Sequence, residues 1–321
     1  MDNKLRAHRI DLGIEVRKYG EGYREQWEAF IDSSANGTFL HRRSFMEYHG
    51  ERFEDASLMV LEGEELLAVF PAHQVGDQIF SHQGLSFGGW IVKRDLDLPQ
   101  QKLIVKSTLE YFKEQSITKV DLKTVPEFYH SLVLSPEVFQ NLNGRIYTSN
   151  IFTHVISLPQ TIKDRGKRWG VRKAVQYQLC VKEEEIHEFF WKEILEPQHM
   201  QQLGRPPVHQ WHEIQYLSER HPNRISLLSA YGEGNLLAGM VLFKHDTVLK
   251  VQYTASTLEG KNKRAVDFLM KKIMENMEFK YLDLGTSIDP YNNTTKKSLA
   301  YWKESFGAKE FPLTTYQISL I

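Results

Sequence analysis

Apolar and polar positions follow the same rhythm twice along this chain. In the first half, SLMVLEGEELLAVFPAHQVGDQIFSHQG reads as a strand, a turn centred on Glu62 to Glu65, a second strand, a turn at Gly76 and Asp77, and a third strand. In the second half, RISLLSAYGEGNLLAGMVLFKHDTVLKVQYTAS repeats the order with turns at Gly232 to Asn235 and at His245 and Asp246, and Leu66, Leu67 and Ala68 are matched by Leu236, Leu237 and Ala238. Each meander leads into a stretch with apolar residues at helical spacing, predicting helices over 101–115 and 263–277. Each helix leads to a short strand, KVDLKTVP at 119–126 and KYLDLGTS at 280–287, which sets Asp121 or Asp283 between apolar neighbours. This order predicts an α+β protein made of a duplicated unit: three antiparallel strands, a helix and a further strand. The expected domains are 1–153 and 154–321, with mixed, mostly antiparallel sheets flanked by helices, joined where IFTHVISLPQT reads as a strand ending at Pro159.

The change from strand to helix in QYTASTLEGKNKRAVDFLMKKIM places Gly260, Lys261, Lys263 and Arg264 in one turn. Cations beside a helix start suit an anion, because the macrodipole and the unpaired N–H groups of the first turn both favour negative charge. The plain alternative is a solvated turn.

Composition narrows the classes. At 321 residues, 41% hydrophobic and 25% charged, the chain is long enough for two cores and ordinary for a folded protein. Its 40 basic and 41 acidic residues, a formal net charge of -1, argue against bulk electrostatic coating of nucleic acid. A mean hydropathy of -0.44, with no apolar run near the length of a membrane span and no leader-like apolar core in MDNKLRAHRIDLGIEV, leads us to expect a cytoplasmic protein without membrane insertion. The single cysteine, Cys180 in VQYQLCVKEE, reads as a small buried thiol on a strand.

The duplicated order, together with NGTFLHRRSFMEYHGERFED (36–55), SHQGLSFGG (81–89), PEFYH (126–130), GVRKA (170–174), RPPVHQWHEIQYL (205–217), YTAS (253–256) and KESFGA (303–308), resembles tandem acyl-CoA N-acyltransferase (GNAT) domains of the bacterial FemAB-like type. The resemblance spans most of the chain and names a reaction type more securely than a substrate. It implies an acyl group moved from a thioester, acyl-CoA as co-substrate, onto a small-molecule amine, with an amino sugar of surface-polysaccharide or cell-wall synthesis as one such acceptor. It implies that a pantetheine arm lies along Tyr253, Thr254 and Ala255, and that Gly260 with Lys261, Lys263 and Arg264 meets the phosphates. The family's glycine-loop pattern is incomplete here: Thr257 stands where Gln or Arg is usual, and Asn262 where a small residue is usual.

Amide formation needs a group that takes the amine's proton. Asp283, on a predicted interior strand, Asp289, and His209, in PPVHQWHE, are the candidates, and Asp283 and His209 each have a structural alternative. His209, His212 and Glu213 lack a full metal-binding spacing, so no metal is expected. By register with the family's last helix, the tyrosine that protonates the leaving thiolate is replaced by Lys303, for which the plain alternative is a solvated helix lysine. The glycine-rich loop of the first half, with His82, Gly84 and Phe87, and Tyr129 are assigned to the acceptor side, because the loop SHQGLSFGG itself carries no lysine or arginine.

Two other readings stay open. Fem-type transfer from aminoacyl-tRNA fits the basic run KDRGKRWGVRKAVQYQL, although nucleic acid is not the expected partner and the long paired-helix arm of those enzymes has no counterpart. A non-catalytic metabolite-binding module fits the incomplete loop. The oligomeric state is not legible.

Overall fold

The computed structural model describes residues 8–9, 13–130, 134–140, 142, 144–289 and 294–321. Much of the leading stretch read above as lacking a leader's core lies outside the described residues. The chain divides into two compact units, Met1–Ile151 with Leu313–Ile321, and Phe152–Pro312. The second thus differs from the expected 154–321 at its end: Thr315–Ser319 pairs antiparallel with Lys119–Lys123, which draws the terminus into the first unit.

In the first unit, Ile14–Lys18, Leu58–Glu62, Glu65–Phe70 and Ile91–Val92 follow one another as antiparallel neighbours. The expected long middle strand breaks at Pro71, which has no N–H for a ladder, and the chain resumes as the hairpin His73–Val75 and Gln78–Ser81. The helix Leu98–Glu114 starts where Asp97 accepts the Gln100 N–H at 2.8 Å, and it buries Ile104, Val105 and Phe112 against Phe70 and Trp90. Gln78–Ser81 then pairs with Lys119–Lys123 in parallel along its whole length, from Gln78 to Ser81.

The second unit has the strand order Cys180–Glu184, Ile225–Gly232, Asn235–Lys244, Val248–Ser256, Tyr281–Thr286 and the 153–157 part of Ile146–Ser157. Ala238 and Met240 meet the helices Arg165–Gln176 and Ala265–Met274 through Ala174, Leu269 and Met270, whereas Gly239, on the opposite face, leaves room for the ring of Phe190. Cys180, expected to be buried, is exposed, because it opens the edge strand of this sheet.

One departure from regularity matters for function. Gln252 is bulged out of the ladder with Asn235–Lys244, since Val241 faces Tyr253 and Leu242 faces Val251. On the other side, the parallel ladder with Tyr281–Thr286 covers only Val248, Leu249 and Lys250. A bulge re-aims a strand and ends its pairing, so from Val251 onward one edge of Val248–Ser256 leaves its neighbour. The matching strand of the first unit shows no such parting.

Candidate active site

The freed edge borders a cavity of about 430 Å³ in the second unit. Thr254, Ala255 and Ser256 form one wall, Gly260, Lys261 and Arg264 another, and Lys167, Asp267, Trp302 and Gln198 complete the part that carries polar chemistry. Five of the residues expected to hold the donor, Thr254, Ala255, Gly260, Lys261 and Arg264, therefore come together. The other two do not line it. Tyr253 points away and is buried against Trp191, and Lys263 pairs with Glu259 at 2.7 Å.

The turn has a different construction from the expected continuous helix. Thr257 caps a short helix, Leu258–Asn262, by accepting the Gly260 N–H at 2.9 Å; Arg264 then takes a left-handed φ of 61° and the main helix begins at Ala265. The Lys261 N–H goes to the Thr257 carbonyl and the Arg264 N–H to the Lys261 carbonyl. The Gly260, Lys261 and Arg264 N–H groups are thus spent inside the loop. Gly260 is a glycine for packing: a Cβ there would overlap the Leu237 carbonyl oxygen.

The cations are graded in freedom. Lys167 Nζ lies 3.3 Å from Asp267 Oδ1 and 4.7 Å from the centre of the Phe306 ring. Arg264 reaches the same carboxylate at 3.9 Å, and Lys261 is exposed with no ion pair among the described residues. Asp267 is 4% exposed, and its Oδ2 makes no hydrogen bond among the described residues. Three cations against one carboxylate leave this cavity electropositive.

Asp283, His209 and Lys303 lie elsewhere in the same unit, off this cavity's lining. Asp283 Oδ1 accepts the Thr153 hydroxyl at 2.5 Å and the Gly285 N–H at 2.8 Å, while Oδ2 pairs with Lys250 at 3.1 Å. It ties three strands together, as a buried carboxylate must be tied. The Lys303 ammonium donates to the Gly285 and Thr286 carbonyls, both at 2.8 Å. Burial pulls its pKa down to about 7, with Asp283 opposing and Lys250 assisting. His209 Nδ1 meets the Tyr253 hydroxyl at 2.6 Å, and the His209 N–H also donates to it at 3.3 Å. Two residues named for different roles thus form one buried pair, and burial raises the Tyr253 pKa. Among the described residues no group of three or more His, Cys, Asp or Glu side chains could hold a metal ion.

In the first unit His82 lines a cavity of about 200 Å³ with Gln83, Asp121 and Lys123. Burial, helped by neighbouring His49 and His73, lowers its pKa to about 3. The other acceptor-side candidates are off this lining. Phe87 and Tyr129 are buried and pack edge-to-face at 4.7 Å, and Gly84 is small because the His49 imidazole occupies the space of a side chain.

Sequence reading missed Gln198, whose amide bonds to the open strand edge, and Asp267. Gln198 has no motif, and its partners lie more than fifty residues away. Asp267 falls at the third position of a helix, where an acid is ordinarily a dipole partner.

No family model matches the chain, and no curated protein matches it. Among solved structures, FemX is similar with a TM-score of 0.63 and 12% identity, over 92% of this chain and 95% of FemX. L-PGS from Bacillus licheniformis gives 0.59 and 13%, over 92% and 91%. A tandem GNAT protein from the clavulanic acid biosynthesis pathway gives 0.50 and 9%, over 96% and 99%. No helix among the described residues is long and apolar enough to cross a membrane. The duplicated strand and helix order expected from the sequence is present in both units, and the chain has the tandem GNAT fold that these proteins share.

Proposed function

We propose that this chain is an acyltransferase that moves an acyl group from an acyl-CoA thioester to an amine. One observation carries the reading: a strand edge freed of its neighbour at Thr254 and Ser256 opens onto an electropositive cavity with Lys167, Lys261 and Arg264. An extended arm containing amides suits such an edge, because it pairs as an added strand. Phosphates suit the cations. In the first unit the matching strand, Gln78–Ser81, is paired along its whole length, which supports placing the donor in the second. The amine nitrogen forms its bond to the acyl carbon as the carbon–sulfur bond breaks, and the proton lost by the amine balances the one gained by the thiolate. Backbone N–H groups of the freed edge would polarise the carbonyl.

Transfer from aminoacyl-tRNA is the second reading, favoured by the loop in which Thr257 consumes the Gly260 N–H, a group that a pyrophosphate would otherwise use. Thiol release followed across a panel of acyl-CoAs and amines, amino sugar nucleotides included, decides between them. Amine-dependent release supports the first reading. Its absence, with aminoacyl transfer from charged tRNA that weakens steeply with salt, replaces it.

A further inference from the structure

The helix Arg165–Gln176 carries an exposed stripe that the cavity itself does not use. Trp169 is 49% exposed, Tyr177 is 42% exposed, and Lys173 lies between them in sequence at a spacing of four on each side, so the three share one face. Lys173 Nζ is 5.3 Å from the Trp169 ring centre and 6.0 Å from that of Tyr177. Arg264 stands 5.3 Å from the same indole, and Lys263 stands 5.5 Å from the Tyr177 ring. These cations lie within cation–π reach of the two rings, an attraction that holds the stripe in place, and about half of the Trp169 surface still faces solvent. Arg264 also lines the cavity, so the stripe continues into the donor site.

The geometry points to a docking platform for a phosphorylated purine nucleoside, the nucleotide end of the donor, with its base on Trp169 and its phosphates on Lys173 and Arg264. Every base has a π-face that stacks on an indole, and the cations supply charge-assisted bonds to phosphate. Occupation by the nucleotide of acyl-CoA rests on the transferase reading given above; the platform does not.

The test separates the two. Adenosine 3′,5′-bisphosphate is titrated onto the full-length protein and onto Trp169→Ala, Trp169→Phe and Arg264→Ala, with inorganic pyrophosphate as a probe that has no base. The expected result is binding of the bisphosphate that weakens about tenfold in Trp169→Ala, is largely kept in Trp169→Phe, and falls with a shallower salt dependence in Arg264→Ala. Pyrophosphate should respond to Arg264→Ala and not to Trp169→Ala. Trp169 is half-exposed, and an unchanged melting temperature of its alanine variant confirms folding. Undetectable bisphosphate binding, or equal binding by wild type and Trp169→Ala, overturns the platform. Trp169-dependent binding without thiol release from any acyl-CoA keeps the platform and removes the transferase reading. Thiol release with the same donor KM in both proteins does the reverse. Tighter, Trp169-dependent binding of an oligoribonucleotide ending in CCA overturns the assignment to coenzyme A.

Discussion

The side-chain amide of Gln198 occupies the backbone of Ser256: its Oε1 accepts the Ser256 N–H at 3.1 Å, and its Nε2 donates to the Thr254 carbonyl at 3.5 Å. An amide thus already sits on the edge that a donor's amide would use. If the donor pairs there, Gln198 must leave first. Each such bond contributes about 0.5–1.5 kcal/mol net, so Gln198→Ala should tighten coenzyme A binding and lower donor KM about three- to tenfold at unchanged kcat. Calorimetry and initial rates measure this. Weaker binding in the variant would instead make Gln198 a direct donor contact.

The loop glycine has a role in stability separable from any ligand. A Cβ at Gly260 would meet the Leu237 carbonyl oxygen, which belongs to the sheet and cannot swing away. Overpacking of this kind costs about 1–3 kcal/mol. Thr257→Ala removes the cap on the Gly260 N–H and should cost about 1 kcal/mol. Urea midpoints should fall for both variants and be nearly restored in Thr257→Ser. A neutral Gly260→Ala would rule out the packing account.

The duplicated architecture was readable because its signals are local: alternation within a strand, helical spacing, and a turn every few residues. Gly260 was readable as special, but one sequence cannot distinguish a glycine that admits phosphate from one that admits Leu237. The Tyr253–His209 bond, the Gln198 plug and the three-strand tie at Asp283 join positions 44, 56 and 130 apart in the chain, and no periodicity reports on such pairings. Cys180 misled for a related reason. Its strand is at an edge, and edge or interior is a property of the sheet, not of the segment.

Lys303 should leave a signature in the pH dependence of stability. Its folded pKa, about 7, lies below the ordinary 10.5, so the unfolded chain binds more protons between those values. Its contribution is therefore complete above about pH 10.5 and is lost as pH falls toward 7. Lys303→Met removes that slope, so the stability difference between wild type and variant should move toward wild type by a few kcal/mol, on the order of 1.4 kcal/mol per pH unit, as pH rises over this window. Urea unfolding at several pH values measures it. A difference independent of pH would show that Lys303 titrates normally.

His82 should act on the acid side of the first unit. Its folded pKa of about 3 lies below the ordinary 6.5 because burial, with His49 and His73 alongside, disfavours the imidazolium; Asp55 opposes the shift and Arg43 adds to it. The stability it contributes is present above about pH 6.5 and drains away as pH falls toward 3. His41, fully enclosed and also held near 3, adds a parallel loss. His82 adopts a φ of 56°, which asparagine tolerates better than other side chains. His82→Asn should accordingly fold at neutral pH with lower stability, yet lose less between pH 6.5 and 4 than wild type does. Melting temperatures across that range decide the matter, and parallel curves for the two proteins would place the acid sensitivity of this unit elsewhere.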